Sequence, residues 1–405
     1  MNAPWATKAL AEVCEFKPPK SEARSKLAAG DEVSFAPMED LGIDEKYLLT
    51  SRNRRLDGVS GSYTYFADGD VLMAKITPCF ENGKLGIARA LTNGVGFGSS
   101  EYIVFRPSPS LDAEYLYYFL SRPNFREEGA RRMSGAVGHK RVSKEFVEQC
   151  QIRMPPLGEQ RRIVAILDEA FEGIATAKAN AEKNLQNARD WADRQLATML
   201  RSASEQGETS TLEGVAASGC SLSYGVVQPG GEVPGGMPVV RPVDLGARRV
   251  GLEGLKRMDP ALARSYARTT LEGGDLLLCV RGTTGTVGVA DMALAGANVT
   301  RGIVPIRFDP ERIGQSMGFY LLRSEPVQAQ IRAKTYGTAL MQINIGDLRQ
   351  IVFSFPPRAQ QDALVEQLDA VQDAADRLAA VCERKLAALD ELKKSLLHQA
   401  FSGAL

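Results

Sequence analysis

Two polar stretches of the chain carry side chains that could contact an anionic or base-bearing ligand. Each follows a run of apolar residues, 71–76 and 276–281, that predicts a buried strand. Arginine pairs with guanine and phosphate, and other polar side chains and backbone amides contact phosphate oxygens. The stretches therefore supply candidates for nucleic-acid contact, namely Thr77, Asn82 and Lys84 in the first and Thr283, Thr284 and Thr286 in the second. Lys75 and Arg281, near the ends of the two runs, are further candidates.

A second pair of segments, residues 134–141 and 335–344, offers further candidates. In the first, small residues precede His139, Lys140 and Arg141, so backbone amides and positive charge can meet a phosphate or a base edge. The second is neutral, but its Gln342 and Asn344 can pair bidentately with adenine. Arg301 completes the set of predicted DNA-binding residues.

The same residues are poorly arranged for catalysis. Asp70 and Lys75 have a nuclease-like spacing without the intervening carboxylate, and His139 has no matched serine or cysteine nucleophile. The six cysteines form no C-x-x-C pair, and only two histidines could assist them in a zinc site. A phosphate-binding G-x-x-x-x-G-K-[ST] loop is also missing. We therefore expect no catalytic residue, cofactor or metal ion in this chain.

Composition places the chain among ordinary globular proteins. Of its 405 residues 44% are hydrophobic and 24% are charged, and the net charge is zero. No run of 18 apolar residues predicts a membrane span, and the first 16 residues lack the apolar core of a signal peptide. Scattered thiols fit a reducing compartment, so we expect a cytoplasmic protein.

The elements that must position these candidates occur twice. Pro155, Pro156 and Gln160 recur 201 residues later as Pro356, Pro357 and Gln361. The offset is 205 at Gly69 and 202 at Gly86, so the polar loop of the first copy is three residues longer. A period this large indicates two copies of one globular unit, because solenoid repeats span only about 20–50 residues.

Each copy ends in a long amphipathic stretch. Apolar residues at 3–4 spacing from Ile163 to Met199 recur from Leu364 to Ala400, broken only by Lys393, where Leu392 could take over the stripe. We expect two antiparallel coiled-coil helices between two mixed α/β domains; the alternative is that each helix packs only on its own domain. The predicted divisions are residues 1–156, 157–205, 206–357 and 358–405, alternately globular and helical.

Several motifs together resemble the specificity subunits of type I restriction-modification systems. They are GDVLMAKITP at 69–78, SGAVGHKRV at 134–142, MPPLGEQRRIV at 154–164 and LLHQAFSGAL at 396–405. The resemblance covers nearly the whole chain, although residues 358–361 of the second copy depart from the first copy's LGEQ.

This resemblance implies a non-catalytic DNA reader. Each globular domain would be a target recognition domain for one half of a bipartite, asymmetric site, and the helices would fix the gap between the halves. Two methyltransferase subunits that use S-adenosylmethionine would dock on the helices. Two motor-nuclease subunits, which use ATP and magnesium, could join them.

Two other readings stay open at this point. A pseudo-symmetric coiled-coil scaffold could pair partner proteins without reading DNA. A self-contained DNA methyltransferase is disfavoured, because no [DNS]-P-P-[YFW] motif is present. A purified complex that ignored DNA sequence would favour the scaffold.

Overall fold

The computed structural model describes residues 5–50, 52–136, 138–205, 207–338 and 340–405. The chain divides into two compact units, Met1–Glu182 with Glu383–Leu405, and Lys183–Cys382. Both boundaries fall inside long helices, so the fourfold division at residues 156, 205 and 357 stays a prediction. Residues 1 and 206, where two of the predicted domains begin, lie outside the described residues.

The first unit is built on two four-stranded sheets. Val71–Ala74 is buried along its whole length, as its continuous apolar run predicts, and it is a central strand of an antiparallel sheet. In order across that sheet lie Cys14–Phe16, Tyr102–Pro107, Val71–Ala74 and Leu85–Ile87. The other sheet has the order Arg52–Arg55, Glu32–Ala36, Val95–Gly98 and Thr64–Ala67, and a two-stranded sheet pairs Ala6–Ala9 with Gln151–Met154.

The second unit has a similar plan, with three strands in place of four in its second sheet. Its main sheet has the order Arg249–Val250, Val287–Ala290, Leu276–Cys279 and Ile303–Ile306. A three-stranded sheet has the order Lys256–Met258, Met237–Val240 and Asn298–Val299. Two-stranded sheets pair Glu208–Thr211 with Val352–Phe355 and Thr335–Tyr336 with Gln342–Ile343.

Helices cover the sheets in both units. Ala113–Leu120 and Gln315–Arg323 are mostly apolar, and their buried residues lie in the main hydrophobic cores. The remaining shorter helices of the first unit are Leu10–Val13, Ser21–Lys26, Leu56–Val59, Pro123–Arg131 and Lys144–Gln149. Those of the second unit are Pro260–Ala263, Glu325–Lys334 and Ile345–Arg349.

Buried polar groups recur at matching places and satisfy each other. The carboxylate of Asp70 pairs with Arg106 at 2.8 Å, and that of Asp275 pairs with Arg307 at 2.7 Å. Gln160 and Gln361 are fully buried and donate to the carbonyls of Pro155 and Pro356, both at 2.8 Å. Because an unpaired buried polar group is costly, these matched networks help to specify one fold for both copies.

The two long helices are Leu157–Ser204 and Arg358–Ser402. Within the first unit they run antiparallel: Arg162 donates to the Leu405 carbonyl at 2.9 Å, and further along Lys178 pairs with Asp390. The predicted stripe of the first helix is buried or half-buried throughout. The exception in the second is Leu378, which is 54% exposed.

The expected exchange of Lys393 for Leu392 in the stripe is wrong. Leu392 is exposed, whereas Lys393 keeps its place in the stripe. Its ammonium lies 5.4 Å from the centre of the Phe171 ring and 3.0 Å from Asp44. A lysine can cover an apolar surface with its methylene stem while its charged end reaches a carboxylate, so the stripe continues through it.

Candidate nucleic-acid interface

In the first unit the two predicted segments meet at the end of the Val71–Ala74 strand. The Thr77 amide donates to the Lys140 carbonyl at 2.9 Å, and the Val142 amide donates to the Lys75 carbonyl at 2.9 Å. Between them Ile76 and Arg141 form an antiparallel bridge. The loop after the strand and the segment around Lys140 therefore form one surface.

The second unit joins its two segments in the same way. The Ile343 amide donates to the Val280 carbonyl at 3.1 Å, and the Gly282 amide donates to the Met341 carbonyl at 2.8 Å. Arg281 and Gln342 form the bridge that corresponds to Ile76 and Arg141. We call these two surfaces, residues 75–84 with 134–142 and residues 280–286 with 335–344, the recognition surfaces. Val137 and Ala339, one in each, lie outside the described residues.

Within the first recognition surface three predicted cations already have protein partners. Lys75 donates to the Ser100 carbonyl at 2.9 Å, and Lys84 donates to the Met38 carbonyl at 2.8 Å. Arg141 forms two hydrogen bonds with Glu101, at 2.9 and 2.8 Å. Hydrogen bonding from Arg141 holds the pKa of the Glu101 carboxyl below its usual value, so Glu101 stays charged at neutral pH.

Three of the other four predicted side chains of this surface point to solvent. Asn82, His139 and Lys140 are exposed. The loop backbone fixes their positions, because the Asn82 amide donates to the Pro78 carbonyl at 2.9 Å and the His139 amide to the Ala136 carbonyl at 2.9 Å. The structure thus brings seven predicted residues to one surface but leaves only these three exposed without a described side-chain hydrogen bond. Thr77 is half-buried, with its hydroxyl 3.9 Å from the Met133 sulfur.

The second recognition surface is rich in hydroxyls, and Arg281 is its one charged residue. The Thr286 hydroxyl donates to the Thr283 carbonyl at 2.9 Å, and the Thr284 hydroxyl donates to the Met341 carbonyl at 3.3 Å. Thr283 is exposed, and Arg281 and Gln342 are half-buried. The Asn344 side chain accepts a hydrogen bond from the Tyr336 hydroxyl at 2.6 Å, which orients its amide.

Arg301 reaches the same strand end from a neighbouring loop. The residue after it, Gly302, accepts a hydrogen bond from the Val280 amide at 2.8 Å. The Arg301 side chain is exposed, and its own amide donates to the Val226 carbonyl at 2.9 Å. All predicted residues of the second copy therefore lie at one end of the main sheet.

A cleft lies beside the loop of the second recognition surface. It has a volume of about 520 Å³, and residues of loop 284–287, Arg248, Arg323 and Gln328 are among those that line it. The cavity beside Gly83 in the first unit is only about 10 Å³ and is lined by Phe80, Tyr117 and Arg126 among others. Phe80, in the longer loop of the first copy, is buried.

Glu101 is a residue of the site that the sequence does not reveal. It lies 40 positions before Arg141, and no spacing motif connects them. Within the described residues no group of three or more His, Cys, Asp or Glu side chains is arranged to hold a metal ion. The described helices include none that is long and apolar enough to cross a membrane.

Comparison with known proteins identifies a domain in the first half. Residues 2–186 match the family described as the type I restriction modification DNA specificity domain. Two curated relatives are the EcoAI and EcoEI specificity subunits of type I restriction enzymes from Escherichia coli, each 37% identical over 164 residues. These matches cover 40% of this chain and 27% and 26% of the relatives' own length. The MjaVIII specificity subunit of Methanocaldococcus jannaschii is 20% identical over 91% of this chain and 88% of its own.

Solved structures share the whole fold. A chain from a study of complex assembly and conformational transition in a type I restriction-modification system matches with a TM-score of 0.79 and 19% identity, over 100% of this chain and 99% of that one. The HsdS subunit from Thermoanaerobacter tengcongensis matches with a TM-score of 0.62 and 17% identity, over 99% and 97%. These likenesses confirm the predicted mixed α/β fold with an internal repeat and two long helices.

Proposed function

We propose that this chain is a type I restriction-modification specificity subunit, the DNA-reading component of such a system, because residues 2–186 match the DNA specificity domain of that family and two specificity subunits are 37% identical over 164 residues. Each recognition surface reads one half of a bipartite, asymmetric site. Phosphate contacts set the position on DNA, and contacts to base edges distinguish the sequence.

One observation carries this proposal: the same two segments are joined at the same strand end in both units, yet their side chains differ. The bridge pairs are Ile76 with Arg141 and Arg281 with Gln342. The first surface presents a lysine and a histidine, whereas the second presents threonines and amides. A repeated frame with different polar groups supports two readers of different half-sites.

The chain itself would be non-catalytic and would act through partners. Two methyltransferase subunits, which bind S-adenosylmethionine, would dock on the long helices, and two motor-nuclease subunits with ATP and magnesium could join them in the cytoplasm. Large apolar side chains exposed on the helices support docking there, because exposed apolar patches on a protein surface mark interaction sites. They are Trp191, Leu378, Val381 and Leu392.

Methylome sequencing of a host that carries this chain and its methyltransferase tests the proposal. We expect methylated adenines in a motif of two specified blocks separated by an unspecified gap. Exchanging residues 206–357 for those of a relative should change one block only. A motif without two blocks, or a change in both blocks, would contradict the modular reading.

The hypothesis of a coiled-coil scaffold predicts the opposite result. The same exposed apolar residues would allow the chain to pair proteins without contacting DNA. In that case the purified complex would show no preference among DNA sequences. The chain alone should transfer no methyl group under either reading, and robust transfer by the single purified chain would refute both.

A further inference from the structure

A carboxylate on the first long helix holds a cation and a tyrosine of the first unit. Asp168 accepts two hydrogen bonds from the Lys46 ammonium, at 2.7 and 2.8 Å, and another from the Tyr118 hydroxyl. Burial comes first among the causes that raise the pKa of Tyr118, followed by its hydrogen bond to Asp168, so the hydroxyl stays a donor at neutral pH.

The second unit contains the same arrangement on the other long helix. Asp369 accepts a hydrogen bond from the Arg248 guanidinium at 2.7 Å and another from the Tyr320 hydroxyl. Burial and the hydrogen bond to Asp369 likewise raise the pKa of Tyr320. Lys46 and Arg248 therefore occupy equivalent positions in the two copies.

The correspondence is close in sequence as well as in space. Asp369 follows Asp168 by 201 positions, whereas Arg248 follows Lys46 and Tyr320 follows Tyr118 by 202. These are the offsets of the repeat itself. We call each set of carboxylate, cation and tyrosine a helix clasp.

Each clasp cation also binds, through its main chain, the strand that leaves the recognition surface. The Lys46 carbonyl accepts from the Ile87 amide at 2.9 Å, and the Arg248 carbonyl accepts from the Val289 amide at 2.8 Å. Ile87 lies three residues after Lys84, and Val289 lies three residues after Thr286. One residue thus connects the helix to the recognition loop in each unit.

Stability alone is a weak reason for this arrangement. The side chains of Asp168 and Asp369 are 42% and 39% exposed, and ion pairs at such sites contribute little to folding. The carboxylate–cation pair and its main-chain hydrogen bond to the strand after the loop occur in both units, although the pair contributes little to stability. We therefore attribute to the pair a role in fixing the position of the recognition loop relative to the helix. A loop displaced by 1 Å no longer places its donors on a base edge.

We propose that Asp168 and Asp369 are positioning residues that hold each recognition loop in register with its long helix, so that each supports discrimination in its own half-site. This inference rests on the proposed function. It adds residues that touch no DNA to those that determine sequence selectivity.

The test uses the chain in complex with its methyltransferase partner and DNA carrying the motif found by methylome sequencing. Dissociation constants are measured for the cognate site and for sites altered in one half. We expect Asp369→Asn to reduce discrimination in the half-site of the second unit roughly fivefold or more. Discrimination in the other half-site and the melting temperature should stay as in the wild type. Asp373→Asn, an exposed carboxylate one turn away on the same helix, is the matched control.

Asp168→Asn should produce a similar but smaller loss in the first half-site, because Glu114 also accepts a hydrogen bond from the Lys46 ammonium, at 2.5 Å; the exposed Glu172→Gln is its control. Arg248→Lys should retain discrimination, because Lys46 fills the same role in the first unit, whereas Arg248→Met should lose it. Unchanged discrimination in both Asp variants, or an equal loss in both half-sites with a lower melting temperature, would overturn the inference. If the wild-type complex shows no sequence preference, the proposed function fails instead.

Discussion

Lys140 is a predicted cation of the first recognition surface whose charge is available to DNA. It is exposed and has no described side-chain partner, whereas its neighbour Arg141 is held by Glu101. We expect Lys140→Ala to weaken binding to all DNA sequences and to reduce the slope of log affinity against log salt by about 1.

The control for Lys140 is Lys8→Ala, an exposed lysine on the Ala6–Ala9 strand away from the recognition surface. It should leave the slope unchanged. DNA binding measured at several salt concentrations distinguishes the Lys140 variant from the Lys8 variant. A loss confined to one DNA sequence would show that Lys140 reads a base and does not bind phosphate.

The buried carboxylate of Asp275 should dominate the stability of the second unit. Its side chain is fully buried, pairs with Arg307 at 2.7 Å, and accepts from the Glu272 and Gly273 amides at 2.8 and 3.0 Å. Asp275→Asn leaves Arg307 with only the exposed Glu272 as a charge partner and should cost about 3 kcal/mol. Native-state hydrogen exchange at the Leu276–Cys279 strand would report the loss.

Glu272→Gln provides a matched comparison for Asp275. Glu272 contacts the same guanidinium at 3.3 Å, but its side chain is 70% exposed. Its removal should change stability by less than about 0.5 kcal/mol. Equal losses in the two variants would show that burial of Asp275 is not what makes the pair important.

Among the elements, the loop of the second recognition surface depends on a glycine. Gly285 has φ +95°, and a Cβ there would lie 2.5 Å from the Gln328 side-chain oxygen. Gly285→Ala should therefore cost about 1–2 kcal/mol for the backbone conformation, in addition to the displacement of Gln328. We expect weaker binding to cognate DNA and reduced discrimination against altered bases in the half-site of the second unit only.

Gly346→Ala is the control for this loop. Gly346 lies in the Ile345–Arg349 helix, where its Cβ would meet nothing within 4 Å. Alanine is favoured over glycine in a helix by up to about 1 kcal/mol, so this variant should be neutral or slightly stabilised. Full binding by Gly285→Ala would mean that the loop tolerates a different path.

For the molecule as a whole, the proposed role of the helices predicts a change in half-site spacing. Four residues inserted after Lys183 add about 6 Å of helix and nearly one turn, so the apolar stripe keeps its phase. That length is close to two base pairs at roughly 3.4 Å each. We expect the methylated motif to keep both blocks and to gain a longer gap.

A two-residue insertion at the same place is the contrast. It would rotate the stripe by about 200° and should impair folding and lower the yield of the complex. Methylome sequencing of hosts that carry either variant measures the gap between the two blocks of the methylated motif. An unchanged gap with full activity of the four-residue variant would show that the helices do not measure distance.

The sequence by itself determined the plan of the molecule. The stripe from Ile163 to Met199 and its recurrence near position 364 predict the two long helices, because helical periodicity is a local property of the chain. The repeat offset predicts two similar globular parts, and the apolar run at residues 71–76 predicts a buried strand. The strand ends at Ala74, two residues earlier than predicted, because Ile76 instead bridges to Arg141.

Only the tertiary structure decided how the candidate residues are used. Glu101 engages Arg141 from 40 positions away, and Lys46 meets Asp168 from 122 positions away. Neither pairing leaves a local pattern, since both depend on which strand ends and helix faces the fold brings together. The same is true of Lys393, whose place in the stripe depends on Phe171 and Asp44. Local periodicity specifies elements, whereas contacts between distant residues determine which side chains remain free to bind.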